Sequence, residues 1–208
     1  MALRRQVEPP ALRKVVAREF PRDSAGLLEQ LKSGDAEARR WAARDLAEHP
    51  EAAAVMGQCL LQEADRSVCG ALFTSLERFA SPAAAAALLP LLRSEDAALR
   101  TGAIEVLATM PAAVAPRIEA LLADADPDVR IFTVNLLGDL PHERVPAWLL
   151  QVLQRDAVVN VVAAAIEVLA EVGQPEHVPA LRQAQARFPD DEFVAFAVDL
   201  ATQRIEST

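Results

Sequence analysis

Six leucines, Leu46, Leu76, Leu107, Leu137, Leu169 and Leu200, follow one another at intervals of 30 to 32 residues. Recurrence at that period restricts a chain to architectures in which one supersecondary unit is copied and stacked, each copy burying its apolar face only against its neighbours. Composition decides what the unit is. Alanine and leucine dominate, tyrosine is absent and aromatic residues make up 4%. Helix is favoured by such a mixture, and an all-β chain is excluded. The sequence therefore reads as all-α: an α-solenoid of about six helical pairs.

Each pair has its own punctuation. Eleven residues before the leucine stand Asp35, Asp65, Asp96 and Asp126, while Asp156 and Asp190 lie near that place but out of register. An aspartate there accepts hydrogen bonds from the unpaired N–H groups of a first helical turn, and Asp126-Pro127 adds a proline at the first helical position. Seven residues before the leucine stand Arg39, Arg100 and Arg130, with Cys69, Val162 and Phe193 at the matching places. Apolar residues at helical spacing then predict second helices over 36–49, 66–80, 97–110, 127–140, 157–172 and 190–204. Prolines separate the units (Pro50, Pro82, Pro111, Pro141 and Pro175), and the first helices are expected near 24–33, 51–62, 83–93, 114–123, 144–154 and 177–187. Pro90 fits this scheme badly and is expected to bend its helix.

The repeat domain is thus expected over 23–204, after an N-terminal segment, 1–22, and before a short frayed tail, 205–208. In the N-terminal segment Leu12, Val15, Val16 and Phe20 share one helical face, with Arg13, Lys14 and Arg18 on the other. Two readings stay open: a capping helix that closes the stack, or a detachable amphipathic helix that docks elsewhere.

The formal charge of −9 is uneven: residues 1–50 carry 10 basic and 8 acidic side chains, and the remainder 11 and 22. An acidic body repels a phosphate backbone, so nucleic-acid binding is not expected. No apolar run is long enough for a membrane span, and the first residues lack the apolar core of a secretory signal. With only Cys59 and Cys69, no disulfide framework is expected. A reduced, cytoplasmic setting and a monomer fit best.

The stretches Leu92-Arg-Ser-Glu-Asp-Ala-Ala-Leu-Arg100 and Leu122-Ala-Asp-Ala-Asp-Pro-Asp-Val-Arg130, followed by patterns such as Gly102-Ala-Ile-Glu-Val-Leu107, resemble HEAT-like repeats of the short type found in phycobilin lyase subunits. The resemblance covers about residues 24–203. It implies a ladder of structural Asp and Arg side chains between successive repeats, carried here by Asp124, Asp126, Arg100 and Arg130. It also implies second helices lining a concave groove. Bacterial proteins of this kind and size often act as accessory factors of a larger machine, such as a signalling or chemotaxis assembly. The other implied role is a subunit resembling the phycobilin lyases, acting on a chromophorylated protein.

Chemistry is thin. His142-Glu143 is similar to the His-Glu pairs by which HEAT-like hydroxylases hold iron, but those use several pairs and this chain has one. His49, His142 and His177 are therefore expected to be solvated loop residues. Cys59 and Cys69 are expected to be buried and inert. HEAT-like DNA glycosylases need a basic groove with aromatic residues, which this acidic body does not offer. Trp41 is expected to pack between the capping helix and the first repeat, and Trp148 between first helices. No enzyme activity, cofactor or metal is expected.

Binding is expected on the second helices, along positions six and two before the leucine and two after it. In order the stripe reads Arg40, Arg44, Glu48; Gly70, Thr74, Arg78; Thr101, Glu105, Thr109; Ile131, Asn135, Asp139; Ala163, Glu167, Glu171. It runs from basic to acidic and carries small residues where a partner can approach. The expected function is a scaffold or adaptor that binds a protein partner in its groove through Arg40, Arg44, Thr74, Arg78, Thr101, Glu105, Asn135, Asp139, Glu167 and Glu171.

Overall fold

The computed structural model describes residues 20–207; the expected capping helix and the segment before it lie outside that range. Six helical pairs follow one another: α1 (Ser24–Ser33) with α2 (Ala36–Asp45), α3 (Ala53–Leu60) with α4 (Arg66–Phe79), α5 (Pro82–Leu88) with α6 (Ala97–Ala108), α7 (Pro111–Leu122) with α8 (Pro127–Asp139), α9 (Val145–Arg155) with α10 (Val159–Val172), and α11 (Val178–Arg187) with α12 (Glu192–Glu206). Several odd-numbered helices differ from the expected outline at a proline; α3, for one, is preceded by a 3₁₀ turn over Pro50–Ala52. Pro90 ends α5, and the chain continues as a 3₁₀ turn over Leu89–Arg93. Helix α7 starts at Pro111 and keeps Pro116 inside, although the expected start at 114 placed that residue in the first turn. Before α11, Pro175–His177 form a 3₁₀ turn.

The aspartate caps fix the phase of the even-numbered helices. Asp35 accepts from the Ala38 N–H at 2.8 Å, Asp65 from Ser67 at 2.8 Å, Asp96 from Ala98 at 2.9 Å and Asp126 from Asp128 at 3.0 Å. The last two units depart from the pattern. Val158 occupies the cap position of α10 without a side-chain bond, and α12 is capped by Asp191, not Asp190, through the Val194 N–H at 2.9 Å.

Eleven residues after the first five caps stand Leu46, Leu76, Leu107, Leu137 and Leu169, all fully buried. Eleven after Asp191 stands Thr202. It is buried, and its hydroxyl donates to the Val198 carbonyl at 2.8 Å. Leu200, expected as the sixth core leucine, is 41% exposed. The spacing between caps lengthens in the last unit, so the core register and the leucine register part by two residues. Helix α12 also outruns the expected end of the repeats, with Ile205 buried.

One continuous core runs through the stack. Along the even row every helix packs on the next, from α2 to α12. The odd row is looser: α3 meets α5, α5 meets α7 and α9 meets α11, whereas α1 barely meets α3, and α7 barely meets α9. The even-numbered helices are thus the more closely packed row, as expected of the row that lines the inner face of such a stack. Where odd helices do approach closely, glycine permits it: a Cβ on Gly57 of α3 would stand 2.6 Å from the Ala87 carbonyl oxygen of α5.

Arginine clamps tie repeat to repeat. Arg130 of α8 reaches Asp156, ahead of α10, with two donors at 2.7 and 3.1 Å, and gives a third bond to the Asp124 carbonyl at 2.7 Å. Arg39 of α2 does the same to Glu63, both bonds at 2.8 Å, and to the Gly34 carbonyl at 2.9 Å. That guanidinium holds the Glu63 carboxyl below the usual carboxylate range. The acceptor always lies two residues before the next cap, where it also receives that cap's own N–H or its counterpart: Asp65 to Glu63, Val158 to Asp156. The expected ladder is corrected at Arg100. Its guanidinium bonds the Ser94 carbonyl at 2.6 Å and lies over the Phe132 ring of the next repeat, 4.8 Å from the centroid. Asp124 is paired instead with Arg93 of the preceding repeat, and Asp126, the cap of α8, lies 3.7 Å from the same guanidinium, so both aspartates still stand between successive repeats.

Candidate protein-binding face

Counting from the caps, the outward positions of the even-numbered helices fall five, nine and thirteen residues on, one above another at i, i+4 spacing. In the first five units these are the stripe residues expected from the sequence. Arg44, Thr74, Arg78, Thr101, Glu105, Asn135, Asp139, Glu167 and Glu171 are all exposed, and Arg40 is half-buried. The five-residue position closes down toward the C-terminal half, with Ile131 half-buried and Ala163 buried.

The charges of this face are partly paired along it. Arg78 donates to Glu48 of the preceding repeat at 2.9 Å, and Arg204 stands 4.0 Å from Glu171. Arg44 lies over the Trp41 ring, 5.2 Å from its centroid; Trp41 is 47% exposed, and the capping helix expected to cover it lies outside the described residues. Between α4 and α6 a hollow of about 420 Å³ is lined by Gly70, Phe73, Thr101, Gly102 and Glu105 among others. Nothing stands within 4 Å of a Cβ built on Gly70, whereas on Gly102 it would meet the Phe73 ring at 2.7 Å. Of the small residues expected to leave room, Gly70 and Thr101 line this hollow and Thr74 is exposed, whereas Ala163 is buried.

The sixth unit holds what the leucine alignment hid. Counting from Asp191, its stripe is Phe196, Leu200 and Arg204. Phe196 is 65% exposed, and Phe193, one turn earlier, 56%. Together with Ala170, Glu167 and Glu171 of α10 they line a cleft of about 300 Å³. The signal that would have found it is the second aspartate of Asp190-Asp191 followed three residues later by Val194, which is the cap-to-core spacing of the other units.

Among the described residues no group of three or more His, Cys, Asp or Glu side chains could hold a metal. The histidines are bound into local structure. His142 Nδ1 accepts the Arg144 N–H at 3.1 Å, and its ring stacks on the buried Trp148, centroids 5.0 Å apart. His177 is buried, against expectation, and its Nδ1 accepts the Gln174 N–H at 2.8 Å. Cys69 is buried and Cys59 half-buried; desolvation pushes both thiols up, away from nucleophilic thiolate. No described helix is long and apolar enough to cross a membrane.

The sequence profile of HEAT repeats matches residues 24–108 and 114–199. The chain belongs to the HEAT-repeat family. No curated protein matches it. Among solved structures it is similar to a computationally designed armadillo repeat protein for modular peptide recognition (18% identity, 86% of this chain and 98% of that one, TM-score 0.42). It is also similar to a designed armadillo repeat protein in complex with the peptide (KR)4 (18%, 86% and 98%, TM-score 0.41). A third similarity is to the complex of CpcE and CpcF of phycocyanin lyase from Nostoc (17%, 91% and 99%, TM-score 0.33).

Proposed function

We propose that this protein is a non-enzymatic scaffold that binds a protein partner along the inner face, as an accessory component of a larger assembly. The observation that carries the reading is the exposed pair Phe196 and Leu200 on the same line as the polar stripe, with exposed Phe193 one turn away. Large apolar side chains gathered in one patch mark interaction sites on soluble proteins, and aromatic anchors in a cleft supply most of an interface's binding energy. The stripe upstream adds orientation. Arg40 and Arg44 stand at one end and Glu105, Asp139, Glu167 and Glu171 toward the other, and such polarity sets register and association rate more than affinity.

The test is affinity capture from the native host, quantified by mass spectrometry, with wild type and two double variants. Phe196→Asp with Leu200→Asp is expected to weaken capture by about thirtyfold, the effect of losing a 2 kcal/mol hot spot. Arg40→Glu with Arg44→Glu is expected to weaken it severalfold, and less at high salt, where exposed charges are screened within about 8–10 Å. Partners captured equally by all three proteins would place the binding surface on the odd-numbered helices.

A further inference from the structure

Two positions of each even-numbered helix, six and ten residues after its cap, face the even-numbered helix before it. Six after Asp96, a Cβ on Gly102 would meet the Phe73 ring of α4 at 2.7 Å, and six after Asp126, Phe132 lies under the Arg100 guanidinium of α6. Ten after Asp65, the Ser75 hydroxyl donates to the Ala43 carbonyl of α2 at 2.8 Å. Ten after Val158, Val168 stands 3.6 Å from a Cβ built on Gly138 of α8. Helix α2 has no described even-numbered helix before it. Its ten-residue position is Asp45, which pairs with Arg22. Its six-residue position is Trp41, 47% exposed and the largest side chain at this place in any unit.

The Arg22–Asp45 pair shows how the chain arrives at this face. Asp45 ends α2, so the chain passes that end of the helix just after Phe20. Pro21 then precedes α1, much as Pro82 and Pro111 open α5 and α7 after α4 and α6. The residues ahead of Phe20 repeat the pattern of one more even-numbered helix. Leu12, Val15 and Val16 fall at helical spacing with Phe20 four further on, and Arg13, Lys14 and Arg18 fall on the opposite side. A helix that reaches Phe20 beside the end of α2 runs along α2 in the same direction. At 1.5 Å per residue, Trp41 lies about 6 Å back from Asp45, and Val16 lies about 6 Å back from Phe20, so the two come to the same level.

We infer that residues 11–19 seat on the Trp41 face of α2 of their own chain. Leu12, Val15 and Val16 cover the indole, and Arg13, Lys14 and Arg18 turn to water, the polar outer side that the end of a repeat array requires. Connectivity selects this occupant: the segment is tethered at Arg22 to the edge of its seat, and no other part of the chain is held there. For the protein-binding reading above, the consequence is directional. With Trp41 covered, the large exposed apolar side chains left on the even-numbered helices are Phe193, Phe196 and Leu200 of α12, so a partner finds its apolar anchor at one end of the array only.

Acrylamide quenching of tryptophan fluorescence in the full chain tests this. Trp148 is 1% exposed, so quenching reports Trp41, and Trp41→Phe supplies the Trp148 baseline. Wild type is expected to quench little above that baseline. Val15→Asp with Val16→Asp is expected to raise the quenching constant severalfold and to leave the thermal melt of the repeats in place. Arg13→Glu with Lys14→Glu, on the opposite side, is expected to behave as wild type. A Trp41 quenched as freely in wild type as in the Val15–Val16 variant overturns the inference, and so does equal loss of shielding in both variants. A photoreactive phenylalanine derivative in place of Trp41 then identifies the occupant. The expected adduct joins position 41 to residues 11–19 at the mass of one chain and at every dilution. An adduct at the mass of two chains, or to another protein, overturns the inference. Neither readout involves the native partner, so its capture by the inner face is decided separately.

Discussion

Arg130→Ala is expected to lower the unfolding free energy by about 2–4 kcal/mol, the cost of leaving one member of a largely buried ion pair without its partner. The side chains of Arg130 and Asp156 are only 12% and 8% exposed. The substitution strands the Asp156 carboxylate in that setting and removes the bond to the Asp124 carbonyl as well. Arg130→Lys is expected to recover little, since an ammonium cannot make the two parallel bonds to a carboxylate and still reach a third acceptor. Urea unfolding followed by circular dichroism reads the effect. A loss within about 0.5 kcal/mol, the range of ordinary surface substitutions, would show that the clamp contributes nothing to the joint between the fourth and fifth repeats.

The second large effect separates two leucines that look equivalent in the sequence. Leu137→Ala is expected to cost about 2–5 kcal/mol, as deletion of a fully buried leucine does; Leu137 has no exposed surface. Leu200→Ala is expected to change stability by no more than about 0.5 kcal/mol and to weaken partner binding instead. Thermal melts of the two variants beside capture of the native partner decide the matter. Equal destabilisation by both substitutions would restore Leu200 to the core and remove the apolar cleft as a binding site.

Those two leucines also mark how far the sequence was legible. Period, composition and aspartate caps were enough for the helical pairs, because burial of the leucine and capping of the first turn are local demands repeated in every unit. They failed where the spacing between caps lengthened before α12. Counted back from Leu200, the outward line of the last helix would fall on Val194, Val198 and Thr202, which are buried; the real line lies two residues away and includes Phe196. A shift of two residues turns a helix by about 200°, enough to exchange the buried face for the exposed one. The ladder was legible only in part: Arg130 and Asp124 do tie repeat to repeat, whereas Arg100 bonds a carbonyl and covers a ring instead. Arg39 and Arg130 stand in the motif, whereas their acceptors Glu63 and Asp156 lie in the following linker, and Arg93, the partner of Asp124, lies outside the motif's arginine position. Prolines were read as boundaries, yet Pro116 sits inside α7. It is exposed there, where its ring meets water and not a neighbouring helix.

Photo-crosslinking tests the central claim most directly. A photoreactive phenylalanine derivative placed at Thr74, Asn135 or Leu200 samples the inner face, and the same residue at Gln58, Arg117 or Gln183 samples the exposed side of α3, α7 and α11. Irradiation in the native extract, followed by mass spectrometry of the adducts, is expected to join one protein to the inner-face positions, most strongly at Leu200, and to leave the odd-helix positions uncoupled. Adducts formed at Gln58, Arg117 or Gln183 and absent from Thr74, Asn135 and Leu200 would contradict it.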